Sequence, residues 1–161
     1  MLAALDTALL RLMRTRGHAP PVERAIAAFS KVGEHGAVWF GLSAAGAAID
    51  QSRRPSFLRA GRTVALSFAA NQAVKLVVRR ARPALDGLPP LVETLSHRSY
   101  PSAHATTSAA GSRALAALLP PAPLYVLAVS LALTRPYLGV HYPSDTIAGA
   151  ALGLAVAELE R

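Results

Sequence analysis

Five apolar tracts dominate the chain: residues 36–49 (GAVWFGLSAAGAAI), 63–78 (TVALSFAANQAVKLVV), 103–119, 123–134 (PLYVLAVSLALT) and 144–157 (SDTIAGAALGLAVA). Period-two alternation is almost absent, so the pattern predicts an all-α protein. Two shorter stretches precede the tracts. In residues 2–16, Leu2, Leu5, Leu9, Leu12 and Met13 recur at helical spacing with Asp6, Arg11 and Arg14 off that stripe. This predicts an amphipathic helix lying at an interface. Residues 21–32 repeat the theme more weakly, with Pro21 as a helix starter and Val22, Ile26 and Phe29 on one face. A docking helix of a soluble bundle would have the same pattern.

A membrane-crossing helix needs about 20 largely apolar residues, and several tracts are shorter or carry a polar side chain. Hydropathy alone therefore leaves an Ala-rich soluble bundle open. The placement of charge favours the membrane. Arg53, Arg54, Arg59, Arg62 and then Arg79, Arg80, Arg82 fall in clusters between tracts, and Gly149 and Gly153 have the four-residue spacing that lets helices approach closely. The expectation is an integral membrane bundle of about five spans behind an interfacial N-terminal helix. With 161 residues the chain makes one domain.

Composition narrows the partners. The chain is 52% hydrophobic yet has 17 basic against 9 acidic side chains, a net charge of +8. Such a balance calls for phosphate-bearing partners: nucleic acid, anionic lipid headgroups or a phosphorylated substrate. The apolar tracts point to the lipid and away from nucleic acid. No cysteine is present, which excludes disulfides and thiolate metal sites. The N-terminus does not read as a secretory signal, because Asp6 interrupts the apolar stretch and the basic cluster follows it.

Three polar stretches interrupt the tracts, each at a predicted helix end. They are KLVVRRARP with Lys75, Arg82 and Pro83, YPSAH with Ser102 and His104, and TRPYLGVHYPSD with Arg135, His141 and Asp145. Counting the helices between them places all three at one end of the bundle. Lys75 and Arg82 are two turns apart, so both can face one side before the proline ends the helix. An ammonium and a guanidinium together suit phosphoryl oxygens. Ser102 can cap the helix that His104 enters, whose free N–H groups form an anion-binding end. The spacing of His141 and Asp145 lets a carboxylate hold one imidazole nitrogen while the other faces a substrate. Two imidazoles, one carboxylate and three cations are equipped to attack a phosphoryl group and protonate its leaving oxygen. No metal or other cofactor is needed, and three nearby cations would repel a metal ion.

These stretches resemble the type 2 phosphatidic acid phosphatase family of membrane lipid phosphatases. The family pattern is a lysine, six residues and Arg-Pro; then Pro-Ser-Gly-His; then Ser-Arg, five residues, His, three residues and Asp. Lys75 with Arg82-Pro83, Pro101-Ser102-Ala103-His104, and Thr134-Arg135 with His141 and Asp145 meet every spacing in order. The resemblance implies a phosphohistidine on His141, oriented by Asp145, with His104 as general acid. It implies that Lys75, Arg82, Ser102, Arg135 and the Ala103 backbone N–H bind phosphate. Two positions depart from the pattern: Ala103 replaces glycine and places a methyl group at the pocket, and Thr134 replaces serine but keeps the hydroxyl.

The resemblance also implies one membrane phosphatase domain over 1–161, with interfacial helices in 1–32 and the catalytic bundle in 33–161. A reduced start leaves the site open laterally, or walled by a second copy in a homo-oligomer. Short members with such a start resemble the subgroup that removes the 5-phosphate of decaprenylphosphoryl-5-phosphoribose. Undecaprenyl pyrophosphate, phosphatidic acid and phosphatidylglycerophosphate are the other substrate classes. Arg79, Arg80 and Arg98 lie beside the site, where they can meet a second phosphate or a headgroup. Counting them places the site on the cytoplasmic face of a cell membrane. Arg53, Arg54, Arg59 and Arg62 read as a solvated loop or headgroup contact, and His18, His35 and His97 as structural or surface residues. Asn71 and Gln72 read as interhelical glue or pocket lining, and Trp39, Tyr125, Tyr137 and Tyr142 as interface markers. A non-catalytic basic scaffold is the rival reading, but it has no use for His104, His141 and Asp145 beside phosphate cations. A vanadate-using haloperoxidase is disfavoured by the small size and the apolar tracts.

Overall fold

Prolines open four of the helices, where a fixed φ and a missing N–H cost nothing. Pro20, Pro55, Pro121 and Pro143 stand in the first turns of α2 (Pro20–Val32), α4 (Arg54–Val78), α6 (Pro121–Tyr137) and α7 (Pro143–Leu159). The remaining helices of the computed structural model, which describes residues 2–161, are α1 (Leu2–Thr15), α3 (Ala37–Ile49) and α5 (Ala103–Leu115). A 3-10 turn at Glu34–Gly36 joins α2 to α3. Among the described residues the sole β pairing is an isolated bridge between Ala81 and Arg98. It folds the long 79–102 connection back on itself.

The five apolar tracts become α3 to α7, with the largest boundary change at the start of α4. Helix α4 begins at Arg54, so Arg54, Arg59 and Arg62 lie on its first turns and not in a loop. The Asp50 side chain closes the preceding turn, accepting from the Arg53 backbone N–H at 3.0 Å and from Arg53 Nε at 2.6 Å. Phe57 and Ala60 then give the segment an inward face. No helix among the described residues is long and apolar enough to cross a membrane. Helices α3 and α5 have 13 residues each, about 20 Å of length. The expected five spans are thus not five helices of spanning length.

Helix α5 is the hub, packing against α3, α4, α6 and α7. Its closest neighbour is α7, because Gly149 and Gly153 face its backbone. A Cβ at Gly149 would stand 2.5 Å from the Ser102 carbonyl oxygen, and one at Gly153 would overlap the Thr106 carbonyl. The four-residue glycine spacing therefore does serve a close helix contact. Polar side chains are buried beside the apolar core, and large apolar ones face outward. Ser67, Asn71, Thr106, Thr107, Ser108 and Ser112 are buried between helices, while Ile49, Val77, Val126 and Ile147 are exposed. The inner hydroxyls satisfy themselves locally, Thr106 Oγ1 donating to the Ser102 carbonyl at 2.9 Å and Thr107 Oγ1 to that of Ala103 at 3.0 Å. Asn71 donates to Thr106 Oγ1 at 2.9 Å and to the Pro101 carbonyl at 3.2 Å, which makes it interhelical glue. Trp39 is fully buried and donates to Ser108 Oγ at 3.1 Å, so it marks the core and not an interface.

Helix α1 keeps Leu5, Leu9 and Leu12 of its apolar stripe exposed and turns Asp6, Leu10 and Arg14 inward. The side chain of Leu2, the first member of that stripe, lies outside the described residues. Arg14 anchors the far end of α1, donating to the Pro89 carbonyl at 2.7 Å.

Candidate active site

The chain direction alternates from helix to helix, and this assembles the site. The C-terminal ends of α4 and α6 meet the N-terminal ends of α5 and α7. Lys75, His104, Arg135 and His141, with Arg82 and Ala103, line one cavity of about 260 Å³. At the opposite end Arg62 pairs with Glu160 and Arg113 with Glu158, both at 2.7 Å.

Arg82 is locked in place by the loop that carries it. Its Nε donates to the Ser96 carbonyl and its Nη1 to the Val140 carbonyl, both at 2.6 Å, and Nη1 also lies 3.2 Å from His141 Nε2. A guanidinium only donates, so His141 Nε2 must carry a lone pair and Nδ1 the proton. Nδ1 in turn faces Asp145 Oδ2 at 3.6 Å, an ion-pair distance longer than a hydrogen bond, and has no nearer partner. Burial, reinforced by the charges of Arg82, Arg135 and Lys75 and opposed by Asp145, pushes His141 down to about 4. The imidazole is therefore a neutral base at physiological pH, its Nε2 lone pair accepting from Arg82 Nη1 beside the cavity. Burial also lowers Arg82 from its ordinary value, against the pull of Asp145.

Asp145 has two tasks. Its Oδ2 accepts the Tyr142 backbone N–H at 2.9 Å, capping α7 at the third position, where a carboxylate also suits the helix dipole. Its Oδ1 accepts from Arg80 Nη1 at 2.8 Å. Across the cavity, Ser102 starts α5 as its N-cap and its own N–H donates to the Asp145 carbonyl at 2.9 Å, tying the two helix starts together. Among the described residues the N–H groups of Ala103 and His104 have no hydrogen-bond acceptor, and they form the open end of α5. Ala103 is an ordinary helical residue, so its position demands no glycine conformation, and its methyl group forms part of the cavity wall.

Residues that motif spacing does not reveal complete the site. Ser30, buried at the end of α2, accepts from Arg135 Nη1 at 2.8 Å through its hydroxyl, which also contacts Thr134 Oγ1 at 3.0 Å. Its carbonyl accepts from His104 Nε2 at 3.0 Å, leaving Nδ1 as the uncommitted nitrogen of that ring. Arg135 Nε is buried without a partner. Helix α2 of the same chain thus packs directly against two of the site's side chains. Glu34, His35, Phe68, Gln72, Glu93, Thr94, Leu95 and Ser96 complete the lining. His35 and Gln72 are therefore cavity residues. Arg80, expected near a second phosphate, is committed to Asp145 and, at 2.7 Å, to Asp6.

Known proteins resemble this chain in sequence and in fold. A family model described as the PAP2 superfamily matches residues 56–160. The chain is 40% identical over 145 residues to the decaprenylphosphoryl-5-phosphoribose phosphatase of Mycolicibacterium smegmatis, a match covering 89% of this chain and 80% of that one. It is 35% identical over 99 residues to a lipid A 1-phosphatase of Rhizobium etli, covering 56% of this chain and 43% of the relative. In fold it resembles the crystal structure of a transmembrane PAP2 type phosphatidylglycerolphosphate phosphatase from Bacillus subtilis. That match has a TM-score of 0.81 at 22% identity, over 99% of this chain and 84% of that one.

Proposed function

The chain belongs to the PAP2 superfamily and is a phosphoric monoester hydrolase, and from that premise we propose that it removes phosphate from a membrane lipid through a phosphohistidine on His141. The observation that carries this reading is the cavity itself. Three cations and two imidazoles face one space, and Arg135 Nε and the α5 N–H groups lack partners that a phosphate would supply. His141 Nε2 attacks phosphorus, the P–O ester bond breaks, and the leaving oxygen takes the Nδ1 proton of His104, which enters this step as an imidazolium with its Nε2–H on the Ser30 carbonyl. Water then gives a proton back to His104 and attacks the phosphohistidine, breaking the P–N bond and releasing inorganic phosphate. Lys75, Arg82 and Arg135 hold the equatorial oxygens, where charge develops in the transition state. No step needs a metal, and the cations already occupy the electrostatic role of one.

The rim bears on the substrate. Glu34 and Glu93 put two carboxylates at the mouth, beside Gln72 and Thr94. A pyrophosphate would bring its second phosphate against those carboxylates, whereas sugar hydroxyls would donate to them. This favours a phosphomonoester carried on a sugar over a pyrophosphate, and in decaprenylphosphoryl-5-phosphoribose, the substrate in the relative's name, the ribose separates the 5-phosphate from the prenyl-linked phosphodiester. The bundle α3 to α7 sits in a bilayer with its apolar exterior toward lipid and α1 on the surface. Support comes from the exposed Ile49, Val77, Val126 and Ile147 around a hydroxyl-lined interior.

The test is phosphate release by the detergent-solubilised protein with EDTA present. Decaprenylphosphoryl-5-phosphoribose, undecaprenyl pyrophosphate and phosphatidylglycerophosphate are compared. Turnover of the first exceeds the others, and His141→Ala abolishes it. Equal release by wild type and His141→Ala sinks the mechanism. Faster turnover of the pyrophosphate sinks the substrate assignment alone.

A further inference from the structure

The family match begins at residue 56, yet the helices ahead of it touch the catalytic groups. Asp6 of α1 accepts from Arg80 Nη2 at 2.7 Å, from the Ser144 backbone N–H at 2.9 Å and from the Ser144 hydroxyl. Arg80 donates onward to Asp145 Oδ1 at 2.8 Å and to Ser144 Oγ at 2.7 Å, and its guanidinium lies 4.0 Å over the Tyr142 ring. Asp6 is buried and Asp145 completely so. Ser30 of α2 separately bonds Arg135 and His104.

We propose that the two N-terminal helices are a positioning element of the catalytic centre, Asp6 acting through Arg80 on Asp145 and Ser30 acting directly on Arg135 and His104. The proposal rests on the phosphatase reading for its kinetic consequences. Asp145 Oδ2 already caps α7 and faces His141, so Oδ1 is the handle by which the carboxylate plane is fixed. Arg80 grips that handle. Its own position is set by Asp6, by Ser144 and by the Tyr142 ring, so the orientation of the dyad depends on α1 being docked. Asp6 in turn sits before the N-terminus of α7, where its charge is favourable. Two of its three bonds come from Ser144, within the same turn as Asp145. The apolar stripe on the other side of α1 leaves this inward face as the helix's polar contact with the site.

Charge makes the role separable from simple bracing. The groups facing His141 are Lys75 from α4, Arg82 from the following loop, His104 from α5, Arg135 from α6 and Asp145 from α7. Arg80 reaches His141 only through Asp145. Replacing Arg80 by glutamine leaves the other cations in place and unscreens the Asp145 carboxylate, which then stabilises an imidazolium more strongly. The His141 titration moves to higher pH.

The experiment uses the full chain in detergent with Asp6→Ala, Asp6→Asn, Arg80→Gln and Ser30→Ala, and with Arg11→Gln on the exposed side of α1 as control. Asp6→Ala and Arg80→Gln lower kcat for lipid phosphate by about 10- to 100-fold, as a displaced catalytic group does, with KM nearly unchanged. Asp6→Asn, which keeps the shape, recovers part of the loss. Ser30→Ala raises KM, and weakens inhibition by inorganic vanadate, more than it lowers kcat. Imidazole resonances of 15N-histidine-labelled protein report an upward shift of His141 in Arg80→Gln. Full kcat in folded Asp6→Ala and Arg80→Gln overturns the proposal. So does an unmoved His141 titration, or a loss of kcat that only tracks the fraction of protein unfolded by near-ultraviolet circular dichroism. Should wild type release no phosphate from any lipid, the phosphatase reading fails while the titration still decides whether Arg80 acts on the dyad.

Discussion

Adding one methyl group to α7, by Gly149→Ala, tests the link between helix packing and chemistry. The new Cβ would stand 2.5 Å from the Ser102 carbonyl oxygen, 3.1 Å from Thr106 Oγ1 and 3.2 Å from the Ala105 Cβ. The first contact is at least half an ångström closer than real Cβ atoms come, and its partner is backbone, which cannot swing aside. Helices α5 and α7 must separate, at a cost of about 1–3 kcal/mol for an overpacked core. The separation also acts on the site. Helix α5 carries Ser102 and His104, α7 carries Asp145, and the Ser102 N–H to Asp145 carbonyl bond of 2.9 Å joins them. Since a displacement of about 1 Å costs on the order of 10²-fold in rate, half of that is expected to cost about tenfold in kcat. Phosphate release and thermal unfolding in detergent are measured together, with Gly41→Ala as reference. A Cβ at Gly41 meets nothing within 4 Å, and helix propensity there gains up to about 1 kcal/mol. If Gly149→Ala keeps the kcat and melting temperature of Gly41→Ala, the packing argument is wrong.

Arg135→Lys keeps the charge but cannot hold Ser30 Oγ and a phosphate with one fork, so kcat/KM falls on the order of 10²-fold, and a fall below about fivefold contradicts the role. The lowered His141 pKa fixes a sign for pH. A base held near 4 stays largely neutral as pH drops from 7 to 5, so trapping of a 32P-labelled phosphoenzyme, quenched in alkali because a P–N bond is acid-labile, is as effective at pH 5 as at pH 7. Trapping that declines about tenfold per unit below pH 6.5, the ordinary imidazole value, refutes that. Trp39→Phe removes the donor to Ser108 Oγ. It costs about 1 kcal/mol of stability in denaturant titration and leaves kcat unchanged.

How much of this was legible in the sequence depended on how far each residue acts from its own helix. Lys75, Arg82, Ser102, Ala103, His104, Arg135, His141 and Asp145 stand at helix ends. Counting helices was enough to bring those ends together, because direction alternates along the bundle. Asp6 and Ser30 are different. Each is a single polar residue in a weakly patterned segment, and its role exists only once α1 and α2 have docked against α6, α7 and the 79–102 connection. The same reason explains Arg80, which its place beside the site grouped with Arg79 and Arg98. Arg79 lies exposed at the left-handed end of α4 with φ of 52°, its side chain donating to the carbonyl of Leu76, whereas Arg80 turns inward to two carboxylates. Trp39 was misjudged because an indole among apolar residues has the same pattern at an interface and in a core. Its N–H found a hydroxyl inside the bundle.

The features that make α5 an unusual core helix are the ones the site requires. A phosphate needs the open N-terminus of a helix, flanked by two others that carry His141 with Asp145 and Arg135. Bulky side chains would keep those flanking helices too far away. Small residues solve the distance, and Gly149 and Gly153 opposite them let backbone meet backbone. Small apolar residues alone would leave the helix interface thin in specific contacts. The hydroxyls of Thr106, Ser108 and their neighbours fill it while returning their protons to carbonyls or accepting from Asn71 and Trp39. Position along α5 then decides the residue type. Near Ser102 the neighbours are polar and stand beside the proposed phosphate site, and toward Leu115 the helix enters the cluster of Trp39, Phe57, Val64, Leu124 and Leu131 that holds the far end of the bundle together. A substitution at the Leu115 end should therefore cost stability and spare the reaction, whereas one at the Ser102 end costs the reaction, because only the latter moves groups that line the proposed site.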